Sequence, residues 1–276
     1  MDEQLRNLER GQGPQNVAKY LRAKMRAGDL SELQLQLAAC LRYPPAVILY
    51  PNNVCGVGDG ERPTLTSEGM VVHCAGAMQL GTGIFEFLQE LDPPEIYSFY
   101  VIIFRELLAP FIEDPRVQET LQLINRSHNL LNSFGDYLPR SSIYLVNDNN
   151  SSCDNCGKIT EEAEINAEGG WSTVLCEECS PILLSQTFLN TIITYYTTRW
   201  GSTATHYAEL GGPTLELLLV AILYLTQRFF EYYAFIDVKL EELFDNLNIN
   251  SVFLTACRFN PDIIDTHQMA VAILNS

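Results

Sequence analysis

Basic side chains and histidines are scarce in this sequence. Its 276 residues include 17 lysines and arginines, 34 aspartates and glutamates, and 4 histidines, so the net charge is −17. A surface this acidic repels a phosphate backbone, which argues against a protein that binds double-stranded nucleic acid. The charge also keeps a fairly apolar chain in solution, since 47% of the residues are hydrophobic. This balance predicts a folded protein with a large core.

Recognisable catalytic motifs are missing as well. The glycine-rich stretch 56–60 lacks the lysine and the following helix of a phosphate-binding loop. No Gly-x-Ser-x-Gly or His-Glu-x-x-His motif occurs. Asp262, Asp265 and His267 are close in sequence, but their pattern specifies no nucleophile. The sequence favours a non-enzymatic protein, with an enzyme whose site lies between two helical halves as the alternative. Side chains that could line such a site are Glu216, Arg228, Glu231 and His206.

No apolar run is long enough to span a membrane, which takes about 20 residues. The run 99–104 is interrupted by Arg105 and Glu106, and the run 217–225 is too short. The N-terminal stretch MDEQLRNLERGQG is polar, which predicts no secretory signal.

The sequence also lacks the regular cysteine spacing of a disulfide-bonded framework. Cys40, Cys55, Cys74 and Cys257 are scattered among apolar or glycine-rich neighbours, a pattern typical of unbonded cysteines packed as small hydrophobic residues. Together with the missing signal, this predicts a cytoplasmic, reducing location.

Two Cys-x-x-Cys pairs are the strongest chemical signal that is present. Cys153 and Cys156 form the first pair, Cys176 and Cys179 the second, and 19 residues separate the pairs. Four thiolates at this spacing predict a tetrahedral zinc site, with about one Zn²⁺ per chain. Four protein ligands leave no open position for water or substrate, so the predicted zinc is structural.

Each cysteine pair follows a short β-prone run. The runs are 142–146 and 171–175, and Gly157 directly follows Cys156. Glycine there lets backbone amides turn toward the thiolate sulfurs. The stretch 142–180 therefore resembles the zinc-ribbon class of modules. Such ribbons occur in polymerases, replication proteins, nucleases and scaffolds, so the resemblance does not select a function.

Charge within this module argues against a nucleic-acid-associated zinc-ribbon factor. Between Cys153 and Cys179 there are seven acidic residues and one basic residue, Lys158. Zinc with four thiolates adds two further negative charges. Ribbons that bind nucleic acid need lysine, arginine and exposed aromatic residues instead. A structural or protein-binding role is the preferred interpretation.

Helix signals dominate the rest of the chain. Residues 14–27 show helical periodicity and Gly28 is placed to end that helix. Ser31 and Gln34 predict a capping box that opens a helix to about Arg42, which Pro44-Pro45 would end. Beyond a loop over 52–66, further helices are predicted at about 67–91, 92–110, 115–131, 180–201, 213–245, 252–258 and 261–274.

The N-terminal hairpin carries a second resemblance. Its sequence YLRAKMRAGDLSELQLQLAACLRYPPAV is similar to a helical-hairpin segment of uncharacterised helical proteins from large-genome bacteria. Leu107-Leu108 with residues 114–121 resembles a downstream part of that pattern. The resemblance implies a helix-rich, non-enzymatic protein.

These signals predict a mainly α-helical protein, a helical bundle or array with a small inserted β zinc ribbon. Four regions are expected: an N-terminal hairpin (1–50), a helical region (67–141), the ribbon (142–180) and a C-terminal helical region (181–276). The expected function is protein–protein interaction or scaffolding with a structural zinc site. The expected partner is another protein, and a homo-oligomer is left open.

Overall fold

A computed structural model describes residues 13–53, 67–88, 91, 93–134, 143–154, 156–166, 173–176, 194, 214–234 and 249–276. The described chain is mainly helical, as predicted. It divides into two compact units, which are treated separately below. The first unit is Met1–Glu119 with Tyr207–Ile222 and Asn248–Ser276, and the second is Thr120–His206 with Leu223–Leu247. The four predicted sequence regions stay a prediction.

The first unit begins with three helices, α1 (Pro14–Ala27), α2 (Glu32–Cys40) and α3 (Pro44–Leu49). Gly28 ends α1 with φ 81°, a left-handed conformation that glycine adopts without strain. The predicted capping box of α2 is confirmed, since the Ser31 hydroxyl accepts from the backbone N–H of Gln34 and the Gln34 side chain accepts from the Ser31 N–H.

The prediction for Pro44-Pro45 is wrong in one respect. The two prolines do not only end a hairpin; they occupy the first turn of α3. Proline is compatible with the first turn of a helix because residues there need no N–H group: a backbone N–H in that turn has no intrahelical acceptor. The second helix ends two residues earlier than predicted, and Arg42 then adopts a positive φ of 63°.

Helix α4 (Ser67–Leu88) confirms the helical prediction for this stretch. Helix α5 (Pro93–Leu108) runs into a 3₁₀ turn at Ala109–Phe111. The remaining helical elements are α6 (Pro115–Phe134), α7 (Leu215–Ala234), α8 (Ile249–Phe259), a 3₁₀ turn (Pro261–Ile263) and α9 (Thr266–Ile273).

The core of the first unit lies where α4 packs on α8 and where α9 packs on α2 and α5. Tyr97, Tyr100, Phe104 and Phe253 are among its largest fully buried side chains. Each fully buried side chain of this kind contributes about 1.5–3 kcal/mol relative to an exposed one.

A three-stranded antiparallel sheet in the second unit carries Cys153, Cys156 and Cys176. Its strands are β1 (Ile143–Ser152), β2 (Ile159–Asn166) and β3 (Thr173–Leu175), in the order β1-β2-β3. The β-prone runs of the sequence overlap β1 and β3. Strand β2 was not predicted, because its glutamates are depleted in strands generally. Pairing with β1 on one side and β3 on the other overrides that preference.

Several predictions lie outside the described residues. They concern most of the loop 52–66, the helix 180–201 except for residue 194, and the helix 213–245 beyond Ala234. Within the described part of the chain, no helix combines the length and apolarity that a bilayer crossing requires.

Cysteine bonding in the first unit differs from the prediction. Cys40, which was expected to be an unbonded small hydrophobic residue, is fully buried and disulfide-bonded. Cys74 and Cys257 are free, as predicted. Disulfides are characteristic of oxidising compartments. The expected cytoplasmic, reducing location therefore stays a prediction.

Candidate metal centre

The turn between β1 and β2 holds the first cysteine pair. The Cys153 N–H donates to the Lys158 carbonyl at 2.9 Å, and the Gly157 N–H donates to the Cys153 carbonyl at 2.8 Å. Gly157 has φ 74°, which a residue with a Cβ would adopt only with strain. The glycine after Cys156 is thus required by the backbone conformation, and the predicted approach of amides to the sulfurs stays a prediction. These bonds close a tight turn that carries Cys153 and Cys156.

Three thiols converge at this end of the sheet. The sulfur atoms of Cys153, Cys156 and Cys176 all lie within 4.8 Å of one another. The Cys156 and Cys176 Sγ atoms are 3.6 Å apart, and none of the three cysteines is in a disulfide. Cys153 and Cys176 are each 2% exposed, whereas Cys156 is exposed.

The geometry of these thiols suits a metal ion. Sulfur atoms of a tetrahedral thiolate site, each about 2.3 Å from the metal, lie within such a distance of one another. Three of the four predicted ligands are therefore brought together in positions from which they could hold a metal ion. The fourth, Cys179, lies outside the described residues, so its role stays a prediction.

Comparison with known proteins assigns the chain to no family. No protein-family profile, curated protein or solved structure matches the chain. The candidate metal centre therefore rests on the local geometry of the cysteines and on their spacing in the sequence.

The residues proposed to line an enzyme site are only partly described. The Glu216 carboxylate, 42% exposed, accepts a hydrogen bond from Arg116 Nη1 at 2.8 Å. Arg116 also pairs with Asp114 at 2.6 Å. Glu216 thus belongs to a partly exposed ion cluster at the start of α6 and α7. The side chains of Arg228 and Glu231, and all of His206, lie outside the described residues.

The set Asp262, Asp265 and His267 has structural contacts. The Asp265 carboxylate accepts from the Gln268 N–H at 3.0 Å and caps α9. The His267 ring packs on the Tyr43 ring with 5.2 Å between centroids. Asp262 lies in the preceding 3₁₀ turn, where its N–H donates to the Asn260 side chain. These roles explain the residues without a catalytic site.

Sequence reasoning missed Glu106, which lies on α5 near Asp265. Burial, and secondarily the negative charge of Asp265, raises the pKa of the Glu106 carboxyl. Glu106 meets Asp265 because α5 packs on α9, and these two helices lie far apart in sequence. No local sequence pattern therefore pointed to Glu106.

We expect Glu106→Gln to stabilise the first unit at neutral pH. A raised folded-state pKa means that the folded chain binds more protons, so stability falls as pH rises from the unfolded pKa through the folded one. Glutamine removes that loss of stability, and the gain should be below about 1 kcal/mol because the Glu106 carboxyl is only partly buried. Urea unfolding of the wild type and the variant at about pH 3 and about pH 7 measures this difference in the free energy of unfolding. The gain should appear only at the higher pH, and the exposed control Glu113→Gln should show none. An equal gain at both pH values would contradict this explanation.

Proposed function

We propose that Cys153, Cys156, Cys176 and Cys179 bind one structural Zn²⁺ per chain. In this proposal the three-stranded sheet is a zinc-ribbon module, and the protein acts without catalysis, through contacts with another protein. The observation that carries the metal site is the convergence of three thiols, from two distant Cys-x-x-Cys motifs, within 4.8 Å.

Ligand chemistry supports zinc. A site made only of thiolates selects soft or borderline ions, and four sulfurs in tetrahedral geometry are typical of Zn²⁺ or of iron. The tight turn closed by Cys153 and Gly157 holds Cys153 and Cys156 at one end of the sheet, where both sulfurs can reach a single ion.

A closed coordination shell supports a structural rather than a catalytic ion. Catalytic zinc sites have three protein ligands and leave one position for water or substrate. The two motifs supply four cysteines, so the complete set would fill that position. The ion pair of Glu216 with Arg116 further weakens the case for Glu216 as a buried catalytic acid.

Charge supports a protein partner with a basic surface. The seven acidic residues between Cys153 and Cys179, together with a zinc–thiolate centre, make the module strongly negative. Like-charge repulsion between copies of a chain with a net charge of −17 disfavours self-association through this module. Lysine- or arginine-rich proteins would be attracted to it instead.

We expect the double variant Cys153→Ser, Cys156→Ser to lose its metal. Serine hydroxyls are poor ligands for Zn²⁺ compared with thiolates, and two remaining thiols cannot complete a tetrahedral site. Elemental analysis of the purified protein should find about one zinc per wild-type chain and almost none in the variant. The matched control is Cys74→Ala, Cys257→Ala, which also removes two thiols but should keep the metal.

Metal retained in the Cys153, Cys156 variant would place the ion elsewhere and contradict the proposed ligands. Iron in the wild-type protein would keep the ligands and contradict zinc. Replacing the metal with Co²⁺ tests the closed shell, because its visible spectrum reports coordination. Added azide should leave that spectrum unchanged, and a spectral shift would favour the enzyme alternative.

Recruitment of partners can be tested with the same variants. Wild-type protein should capture a basic protein from the native host, with binding that weakens as salt is added. The metal-free variant should capture less. A stable homo-oligomer in light scattering would favour self-assembly instead. A gel mobility shift with nucleic acid at low salt would favour a nucleic-acid-associated zinc-ribbon factor.

A further inference from the structure

Helices α4 and α8 approach each other unusually closely. A Cβ placed on Gly81 of α4 would lie 3.0 Å from the Cα and 2.5 Å from the Oδ1 of Asn250 on α8. Thr82 Oγ1 also hydrogen-bonds to Asn250 Oδ1 at 3.1 Å. The backbones of the two helices are therefore almost in contact at this point.

Two cysteines meet along the same pair of helices. Cys74 lies seven residues before Gly81, and Cys257 lies seven residues after Asn250. Seven residues are about two helical turns, so an antiparallel pair in contact at Gly81 and Asn250 brings the two cysteines to the same level. The two thiols influence each other, since Cys74 is one of the causes that raise the pKa of the Cys257 thiol.

The two thiols differ in their environment. Cys74 is half-buried, whereas Cys257 is 1% exposed. Burial, reinforced by the neighbouring Cys74, raises the pKa of the Cys257 thiol to about 12. Cys257 therefore stays protonated at neutral pH, and Cys74 is the thiol that a small solute reaches first.

We propose that Cys74 and Cys257 are an oxidative modification site, at which a hydroperoxide converts two adjacent thiols into a disulfide that links α4 to α8. In the first step the Cys74 thiolate attacks a peroxide oxygen, which forms a sulfenic acid and releases hydroxide or alkoxide. In the second step the Cys257 sulfur attacks the Cys74 sulfur and the sulfenic oxygen leaves as water, taking the Cys257 proton. Two electrons pass from the thiols to the peroxide, which is reduced to water or to an alcohol and water.

Helix spacing favours the bond. A disulfide requires Cα atoms about 4.4–6.8 Å apart, closer than most helix pairs allow. Glycine at position 81 permits that approach, and α4 packs on α8 beyond this single point. The site is independent of the metal centre, which belongs to the second unit.

The test is peptide mapping of the full, metal-loaded chain after treatment with hydrogen peroxide. Free thiols are blocked with N-ethylmaleimide before digestion without a reductant. The expected result is a peptide pair joined through Cys74 and Cys257, two hydrogens lighter than the sum of its parts and separated by dithiothreitol. The Cys40 disulfide should be present before and after oxidation, which makes it an internal control.

Two single variants complete the test. In Cys257→Ala, oxidised Cys74 has no partner and should be trapped as a sulfenic acid by dimedone. In Cys74→Ala, Cys257 should stay reduced because it is buried. Oxidation should raise the thermal midpoint of the wild type by roughly 5–10 °C, and of neither variant. Failure to find the joined peptide, whether both thiols stay reduced or Cys74 is oxidised without Cys257, would overturn the proposal.

Discussion

Removing the metal with a strong chelator is expected to unfold the module at about residues 142–180. The sheet that carries the cysteines has one very short strand, Thr173–Leu175, and a register irregularity between Asn147 and Ser151. A module this small cannot bury enough apolar surface to be stable alone. Metal binding contributes on the order of 10 kcal/mol of apparent folding energy in small zinc modules, so its loss should exceed the stability of the sheet.

Hydrogen exchange with mass spectrometry measures this effect. Peptides that cover β1 and β2 should lose their protection on chelation, and peptides from α2, α5 and α8 should keep theirs, since the helices belong to the other unit. Restoring Zn²⁺ should restore protection. The Cys153→Ser, Cys156→Ser variant serves as control, because it should show the unprotected pattern before any chelator is added. Unchanged exchange in a chain shown to be metal-free would contradict a structural role for the ion.

Replacing Gly81 by alanine is expected to destabilise the first unit by about 1–3 kcal/mol. Helix propensity alone predicts the opposite sign, because alanine in a helix interior is favoured over glycine by about 1 kcal/mol. The new Cβ would lie 3.0 Å from the Cα and 3.2 Å from the backbone nitrogen of Asn250. Backbone atoms cannot rotate out of the way, so α4 and α8 would have to separate.

A double-mutant cycle separates the two kinds of contact. Asn250→Ala removes the Oδ1 atom that would be 2.5 Å from the new Cβ but leaves the backbone atoms in place. The second substitution should therefore rescue Gly81→Ala only in part. Gln79→Ala, at an exposed position of the same helix, is the control for propensity and should be close to neutral. Thermal unfolding measures all four variants, and a Gly81→Ala variant as stable as wild type would show that the helices can move apart at little cost.

Local signals predicted the helix boundaries well. The capping box at Ser31 and the glycine stop at Gly28 depend on residues three or four positions apart, so the pattern that creates them is visible in the sequence. The start of α6 is also set by a local contact, since the Asp114 carboxylate accepts from the Arg116 N–H at 2.9 Å. His128 lies four residues after the buried Ile124 on α6 and is itself half-buried.

Predictions failed where local preference and long-range packing disagree. The glutamates of β2 disfavour a strand in isolation, but two neighbouring strands supply its backbone hydrogen bonds. Cys40 was interpreted as unbonded because the cysteine spacing matched no disulfide framework, and spacing alone does not show which cysteines meet.

The sequence by itself determined the acidic character of the chain, its mainly helical class and the cysteines that form the candidate metal centre. Two intervening residues allow the sulfurs of a cysteine pair to lie at one turn, as those of Cys153 and Cys156 do. Only the tertiary structure decided that Gly81 meets Asn250, that Cys74 meets Cys257 and that Arg116 pairs with Glu216. These partners lie a hundred or more residues apart. Their meeting depends on how whole helices pack, a cooperative result that no short stretch of sequence encodes.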